Sequence, residues 1–209
     1  MSFYSHLMAR VYDAALGRME AACLGAWRAE LLSQASGAVL EIGAGTGANL
    51  LHYPPGISCL TLAEPDPHMR RRLQGKLSAL AVETYQVVAN AVDDLDFPDH
   101  SFDSIVSTLV LCSVASQVTA LARIKSLLKP DGQLLFLEHV AAKDRPGLLR
   151  WQKLLQPVWR PLCGNCHLAR DTERAIRAAG FSIKSIQYLV SSGSPAFASP
   201  TIMGIAAPL

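Results

Sequence analysis

The sequence predicts an α/β fold in which a mostly parallel sheet of seven strands carries helices on both faces. Short apolar segments of strand length alternate with segments of helical periodicity along most of the chain, which is typical of parallel sheets. The last two apolar segments have no helix between them, so an antiparallel final strand is expected. With 209 residues, 50% of them hydrophobic, residues 1–209 are expected to form a single domain.

The elements follow in order along the chain. Residues 1–36 have apolar positions at helical spacing, which predicts two helices that cap the domain. The core, 37–140, contains five predicted strands: Ala38–Ile42, Ser58–Ala63, Thr84–Ala89, Ser104–Thr108 and Gln133–Glu138. Helices are predicted at Thr46–Tyr53, Pro67–Leu80 and Gln117–Leu128, and a turn at Lys129–Gly132. The C-terminal part, 171–209, has a predicted helix at Asp171–Ala179 and the strand pair Phe181–Val190 and Thr201–Ala206.

A basic insertion, 141–170, interrupts this alternation after the fifth strand. Between Lys143 and Arg170 it carries six Lys or Arg residues, one acidic residue and two of the three tryptophans. Its apolar residues share one helical face, and Pro157 is expected to bend or end that helix. The face comprises Leu148, Trp151, Leu155, Val158 and Trp159. We expect it to form a lid over the substrate or to contact an anionic membrane; a helix simply packed on the sheet is the alternative.

The composition limits which partners, cellular location and cysteine chemistry are expected for the protein. The net charge of +2 gives no indication of a nucleic-acid partner. No uncharged apolar run reaches the length of about 18 residues that a membrane span needs, and no secretory signal is visible, so we expect a cytoplasmic protein. The five cysteines are expected to be free thiols. Cys163, Cys166 and His167 match the C-x-x-C-H haem pattern, but without an export signal or a second cysteine pair we expect no haem and no metal.

The segment VLEIGAGTGANL, from Val39 to Leu50, predicts a ligand close to the backbone. Gly43, Gly45 and Gly47 follow the first strand at alternate positions, where glycine permits close approach of a bound molecule. The segment also fits the G-x-G-x-x-A pattern of dinucleotide-binding domains, and a tight turn without a ligand is a further alternative. Glu41 favours S-adenosylmethionine, because a carboxylate repels a pyrophosphate but tolerates an ammonium or sulfonium group.

Further candidates for cofactor binding follow the next two strands. Glu64 ends the second strand, where a carboxylate can accept both ribose hydroxyls. Met69 begins the following helix, near the expected position of the adenine ring. After the third strand, backbone N–H groups of Ala91 and Val92 are candidates for bonding the ring, and Asp93 or Asp94 for accepting its amine. Nucleic-acid bases are not expected as substrates, since the Pro-Pro-aromatic signature is missing after the fourth strand.

Several segments resemble the class I S-adenosylmethionine-dependent methyltransferases, which have a Rossmann-like sheet. They are VLEIGAGTGANL, FPDHSFDSIVSTLVLCSV and LKPDGQLLFLEHV. The chain resembles most the methyltransferase-like alkyl thiol S-methyltransferases, through GTGANLLHYPPG, TLVLCSV, EHVAAK and CHLARDT, from about Met8 to the C-terminus. It differs in having Glu64 where that family usually has Asp, and the apolar N-terminal anchor of the animal members is not matched.

The resemblance implies S-adenosylmethionine as cofactor, S-adenosylhomocysteine as product and a small thiol as substrate. We expect the protein to be a monomer. The segment ARVYDAA implies that Tyr12 lies over the methionine end of the cofactor, although a core tyrosine of an amphipathic helix is the alternative. With these additions, the expected cofactor residues are Tyr12, Glu41, Gly43, Ala44, Gly45, Gly47, Asn49, Glu64, Pro65, Met69, Ala91, Val92, Asp93, Thr108 and Leu109.

The substrate pocket is expected to include Leu111, Cys112, Trp151, Trp159 and His167. A thiol is partly ionised at neutral pH, so direct in-line transfer needs no strong base. His139, at the end of the fifth strand, is the candidate base, with a hydrogen-bonding loop anchor as the alternative. Methylation of an amine, a lipid headgroup or a phenol, and a binding module without activity, are the alternative functions.

Overall fold

The structure, a computed structural model, describes residues 17–209. Those residues form a seven-stranded sheet in the order β3-β2-β1-β4-β5-β7-β6. The parallel strands are β1 (Gly37–Ile42), β2 (Ile57–Ala63), β3 (Tyr85–Val88), β4 (Phe102–Thr108) and β5 (Leu128–His139). The antiparallel strands are β6 (Phe181–Val190) and β7 (Pro200–Pro208). The predicted fold class is therefore confirmed, including the antiparallel end of the sheet.

The strand order reverses between β1 and β4. From β1 the chain adds β2 and β3 on one side and then returns to add β4 on the other. At such a switch point the loops after the two strands diverge and leave a crevice at the carboxyl ends, where ligands of open α/β sheets bind. The glycine-rich loop after β1 and the loop after β4 border this crevice.

Five α-helices pack around the sheet in the described residues. They are α1 (Gly25–Leu32), which continues the π-helical turn Glu20–Leu24, α2 (Pro67–Gln74), α3 (Gln117–Leu127), α4 (Pro146–Leu162) and α5 (Thr172–Ala178). Both faces of the sheet are covered, because neighbouring residues of β1 enter different cores. Val39 packs in the cluster that contains Leu62, whereas Leu40 packs in the cluster that contains Ile105 and Phe136.

Three predicted elements differ from the structure. The helix expected at Thr46–Tyr53 is a series of turns followed by a short 3₁₀ helix, Leu50–His52, since Gly45 and Gly47 have positive φ angles that no right-handed helix accepts. The helix expected to reach Leu80 ends at Gln74, with Gly75 at its C-cap. The tetrapeptide at Lys129–Gly132, expected to be a turn, belongs to the long strand β5.

The insertion forms the 17-residue helix α4, and Pro157 lies within it rather than at its end. Proline leaves the carbonyl of Lys153 without its helical donor, but both residues are exposed, so water can bind that oxygen. The fully buried residue of α4 is Gln152. Its side-chain oxygen accepts from the Ala142 N–H at 2.8 Å, and its amide donates to the carbonyls of Val140 and Phe197. Gln152 therefore fixes the orientation of the helix.

This orientation contradicts the predicted apolar lid face in part. Trp151 is 58% exposed and Val158 is 64% exposed, so neither packs against the sheet, and a place for Trp151 in the substrate pocket stays a prediction. Leu148, Leu155 and Trp159 are half-buried. The exposed side of α4 carries an apolar stripe, which we define as Trp151, Leu154, Val158 and Leu162. Within residues 17–209, no helix is long and apolar enough to cross a membrane.

Candidate active site

The three glycines after β1 serve different purposes. All three have positive φ, at 59° for Gly43, 57° for Gly45 and 82° for Gly47. A Cβ at Gly43 would lie 2.6 Å from a methyl group of Val110, and one at Gly47 would lie 2.8 Å from Leu50. A Cβ at Gly45 would meet only the Gly43 carbonyl oxygen, at 3.9 Å. Gly43 and Gly47 are thus required by packing, whereas Gly45 leaves open space for a ligand.

That open space belongs to a cavity of about 350 Å³ between the glycine-rich loop, β4 and α1. Its size is at the lower end of the range of ligand-binding pockets. Its walls contain the carboxylates of Glu20 and Glu41 and the cations of Arg28 and Lys76, so the lining carries both signs of charge. The lining residues are Glu20, Gly25, Arg28, Glu41, Gly43, Ala44, Gly45, Thr46, Ala48, His52, Lys76 and Thr108. Five of the predicted cofactor residues are among them.

A hydrogen-bonded network of buried side chains connects α1 to the glycine-rich loop. The Arg28 guanidinium pairs with Glu20 at 2.9 Å and donates to Asn49 Oδ1 at 2.8 Å and to Thr108 Oγ1 at 2.9 Å. Asn49 donates to Glu41 Oε1 at 2.8 Å. These bonds occupy the side chain of Asn49, which is 1% exposed and is not among the cavity-lining residues, so Asn49 supports the site and its contact with a cofactor stays a prediction.

The second oxygen of Glu41 accepts from the Tyr53 hydroxyl at 2.7 Å. Burial raises the pKa of Glu41 to about 7, and the bonds from Tyr53 and Asn49 and the charge of Arg28 limit that rise. The charge of Glu41 is therefore sensitive to whatever enters the cavity. A cationic group beside it would favour the ionised form.

Sequence reasoning missed Arg28 and Tyr53. One signal for Arg28 existed, because it lies four residues after Leu24 and four before Leu32, on the apolar stripe of its helix. A cation at a core position needs a buried acidic or polar partner. Tyr53 had no comparable signal, since its partner Glu41 is twelve residues away across an irregular loop.

Glu64 lies at the end of β2, as predicted, and is 6% exposed. Its two carboxylate oxygens accept from the backbone N–H groups of Gly45 and Asp66, both at 2.8 Å. Burial raises its pKa. Each oxygen retains a further lone pair for a ligand hydroxyl. The carboxylate therefore both supports the glycine-rich loop and remains able to bind a ribose.

The remaining candidates for cofactor binding, like Glu64, are not among the residues that line the cavity. Val92 is buried in a 3₁₀ helix, Asp93 is exposed, and Met69 is half-buried at the start of α2. Pro65 is exposed, and its carbonyl accepts from Arg70. Contacts of this group with a cofactor stay a prediction, as they do for Ala91. Tyr12 lies outside the described residues.

Glu138 organises the loop after β4 and was not predicted to do so. Its carboxylate is fully buried and accepts from the Ser107 hydroxyl at 2.6 Å and from the N–H groups of Val110, Leu111 and Cys112 at 3.0–3.1 Å. Leu109, just before these residues, has a φ of 60°, a strained conformation for leucine. Glu138 thus holds the loop in a shape that its sequence alone disfavours.

The insertion closes on this loop through its C-terminal turn. The His167 N–H donates to the Cys112 carbonyl at 2.9 Å. The ring of Trp159 packs edge-on against the ring of Phe197, with the ring centroids 5.2 Å apart. His139 is 5% exposed; its Nδ1 lies 3.9 Å from Cys166 Sγ, and its Nε2 has no hydrogen-bond partner among the described residues. The structure thus brings Cys112, His139 and His167 together at the carboxyl ends of β4 and β5.

The cysteines and histidines of the insertion do not form a metal site with other described residues. In residues 17–209, no three His, Cys, Asp or Glu side chains are grouped for binding a metal ion. Cys163, Cys166 and His167 are neighbours in sequence, but His167 is directed to Gln156, whose amide nitrogen lies 3.5 Å from its Nδ1. The site therefore has a cavity beside the glycine-rich loop, and the thiols and imidazole lie near the carboxyl ends of β4 and β5, outside the cavity lining.

Comparisons with known proteins agree with this geometry. Residues 40–136 match the family model described as a methyltransferase domain. The thiol S-methyltransferase TMT1B of Homo sapiens is 35% identical over 193 residues, which cover 87% of this chain and 76% of the relative. TMT1B of Rattus norvegicus is 37% identical over 152 residues, covering 72% of this chain but only 62% of the relative.

A structural neighbour is the N-methyltransferase NodS of Bradyrhizobium japonicum in complex with S-adenosyl-L-homocysteine. Its TM-score is 0.63, with 21% sequence identity and coverage of 87% of this chain and 83% of that one. This similarity supports the fold.

Proposed function

Because this chain belongs to the thiol S-methyltransferase family, we propose that it transfers a methyl group to the sulfur of a small thiol. Its cofactor is S-adenosylmethionine. The observation that carries the proposal is the crevice between β1 and β4, where Gly45 leaves open space next to two carboxylates. Those features match a ligand with an ammonium group, a sulfonium group and a ribose.

Each part of the cofactor has residues to hold it. Glu41 lines the cavity and is the carboxylate that we propose attracts the positive charges. Gly45 permits approach to the backbone. Glu64, whose carboxylate accepts the Gly45 N–H, is the residue that we propose accepts the ribose hydroxyls. The bound cofactor supplies a methyl group activated by a sulfonium. What remains for the protein is to align the acceptor sulfur with that methyl group and to exclude water.

The acceptor is expected at the carboxyl ends of β4 and β5. Leu111 and Cys112 are buried there, and Glu138 is fully engaged in four hydrogen bonds, so it is not available as a base. We propose His139, whose Nε2 has no hydrogen-bond partner in residues 17–209, as the group that accepts a proton. A thiol with a pKa near 8.5 needs little help from it, whereas an alcohol would need a strong base. This balance favours sulfur over oxygen as the acceptor.

Methyl transfer to a panel of alkyl thiols, alcohols, amines and phenols tests this proposal. The thiols should be turned over, and the rate should rise with pH towards the pKa of the thiol used. His139→Ala should then cost less than about tenfold, below the 10²–10⁴ expected of an essential general base. Inert thiols together with a methylated amine or phenol would replace the proposal with the alternative acceptor class.

We also propose that α4 contacts an anionic membrane surface. The apolar stripe, Trp151, Leu154, Val158 and Leu162, is more than half exposed along the whole helix. Arg150 and Lys153 are exposed between and beside its members, and the structure gives neither of them an acidic partner among residues 17–209. An exposed apolar face with unpaired cations is typical of helices that lie in a lipid interface.

Co-sedimentation with vesicles tests this contact. The full chain should bind vesicles that contain phosphatidylserine more tightly than phosphatidylcholine vesicles, and Leu154→Ser with Val158→Ser should abolish binding. Val118→Ser, at a 79% exposed position on α3, is the matched control and should bind normally. Absence of vesicle binding with concentration-dependent dimer formation would assign the stripe to a second copy of the chain. The cytoplasmic location and monomeric state predicted from the sequence stay predictions.

A further inference from the structure

Two cysteines from distant parts of the chain meet at the acceptor end of the site. Cys112 follows β4, Cys166 lies in the turn after α4, and their thiols lie close enough for each to shift the pKa of the other. The backbone bond from His167 to Cys112 fixes the two segments against each other. All five cysteines of the chain are free thiols. The methyl-transfer mechanism requires no nucleophilic cysteine, so this pair is not explained by it.

The two thiols have different environments. Cys112 is 2% exposed, whereas Cys166 is partly accessible from outside. Cys166 Sγ lies 3.9 Å from His139 Nδ1, and the hydrogen bond from Cys112 and the nearby imidazole lower the pKa of the Cys166 thiol. The same contact and burial raise the pKa of Cys112. The other titratable groups facing Cys166 are His167, Arg170 and Cys163.

We propose that Cys166 and Cys112 form a redox-active pair that reacts with low-molecular-weight disulfides. An accessible thiolate beside a buried thiol is the arrangement in which the first attacks and the second resolves. The resulting bond would join the turn after α4 to the loop after β4. Since Cys112 lies where the acceptor is proposed to bind, the oxidised protein should not methylate, a consequence that rests on the proposed function.

The reaction balances without a further reagent. The Cys166 thiolate attacks one sulfur of the low-molecular-weight disulfide, its S–S bond breaks, and one thiolate leaves. The Cys112 thiol then loses its proton and attacks the Cys166 sulfur of the mixed disulfide, and the second thiolate leaves. The protein loses two hydrogens and is oxidised, while one disulfide is reduced to two thiols. An excess of reduced thiol reverses both steps.

Mass spectrometry of the full chain tests this pair directly. After incubation with oxidised glutathione and acid quenching, digestion should yield one peptide pair linked through Cys112 and Cys166. In Cys112→Ser the second step is blocked, so glutathione should remain attached at Cys166. Cys163→Ser is the matched control, because it removes a thiol from the same turn and should leave the linked peptide unchanged. Circular dichroism establishes that each variant is folded. If Cys112→Ser does not fold, Cys112→Ala replaces it in the same experiment.

A kinetic readout separates this proposal from the proposed function. At pH 6, iodoacetamide should alkylate Cys166 at least about tenfold faster than Cys163, because only thiolates react. His139→Ala should reduce that difference. A disulfide between Cys163 and Cys166, or equal alkylation of these two residues, would overturn the proposal. Neither readout depends on methyl transfer, so failure of the thiol methylation assay leaves them intact.

Discussion

Gly45 and Gly43 provide a matched pair of substitutions that separates ligand binding from folding. A side chain at Gly45 enters open space in the cavity, whereas one at Gly43 meets Val110 at 2.6 Å. A left-handed conformation costs a non-glycine residue roughly 1–2 kcal/mol at either position. Gly45→Val should therefore fold with a modest loss of stability and fail to bind cofactor. Gly43→Ala should lose more stability, and Val110→Ala should restore part of it.

Thermal unfolding measures both effects. S-adenosylmethionine at 100 times its dissociation constant should stabilise the wild type by about 2.7 kcal/mol. For a chain of this length that is a rise of roughly 5–10 °C in Tm. NAD should cause none. Gly45→Val should show no rise with either ligand. A Gly45→Val variant with a normal response to S-adenosylmethionine would refute the assignment of the open space to the cofactor, and a response to NAD alone would refute the cofactor itself.

Three further changes address individual interactions of the site. Glu64→Ala should weaken cofactor binding by about 3 kcal/mol through the loss of two charge-assisted hydrogen bonds, and unchanged affinity in calorimetry would remove Glu64 from the ribose site. Arg28→Leu should lower the free energy of unfolding in urea by about 2–4 kcal/mol, because it leaves the buried partners Asn49 and Thr108 without their donor and breaks the pair with Glu20. Arg177→Leu, which breaks an exposed pair, should cost less than about 1 kcal/mol. Equal losses would contradict the buried network. Since the pKa of Glu41 is raised to about 7, cofactor affinity should increase as pH rises from 6 to 8 and ionises it, and Glu41→Gln should flatten this dependence in calorimetric titrations.

The fold was predictable from the sequence because it depends on local patterns. The strand segments around Val39 and Leu60 are apolar on both faces, and a short apolar run of strand length between turn residues indicates such buried strands. The glycine-rich loop and Glu64 were predictable because a backbone approach and a strand-end carboxylate have short sequence signatures. The failed helix at Thr46–Tyr53 shows the limit, since two positive φ angles overrode helical spacing.

The rest of the site depends on residues that meet only in three dimensions. The Glu138 carboxylate on β5 accepts from Ser107 on the neighbouring strand β4, which is 31 residues away in sequence. Cys166 contacts His139 from a turn 27 residues away. For α4, the apolar spacing correctly indicated an amphipathic helix but not which side faces the sheet. The three hydrogen bonds of Gln152 decide that orientation, and the sequence around Gln152 does not indicate their partners.

Transfer of the methyl group to sulfur, rather than to oxygen or nitrogen, can be tested with acceptors that offer two nucleophiles. The full chain is incubated with S-adenosylmethionine labelled with ¹³C at its methyl group, together with 2-mercaptoethanol or 2-aminoethanethiol, and the products are identified by NMR. Gly45→Val serves as the control without cofactor binding. The account predicts that the labelled carbon is bonded to sulfur in both products. Labelled carbon on oxygen or nitrogen, with the thiol intact, would contradict it.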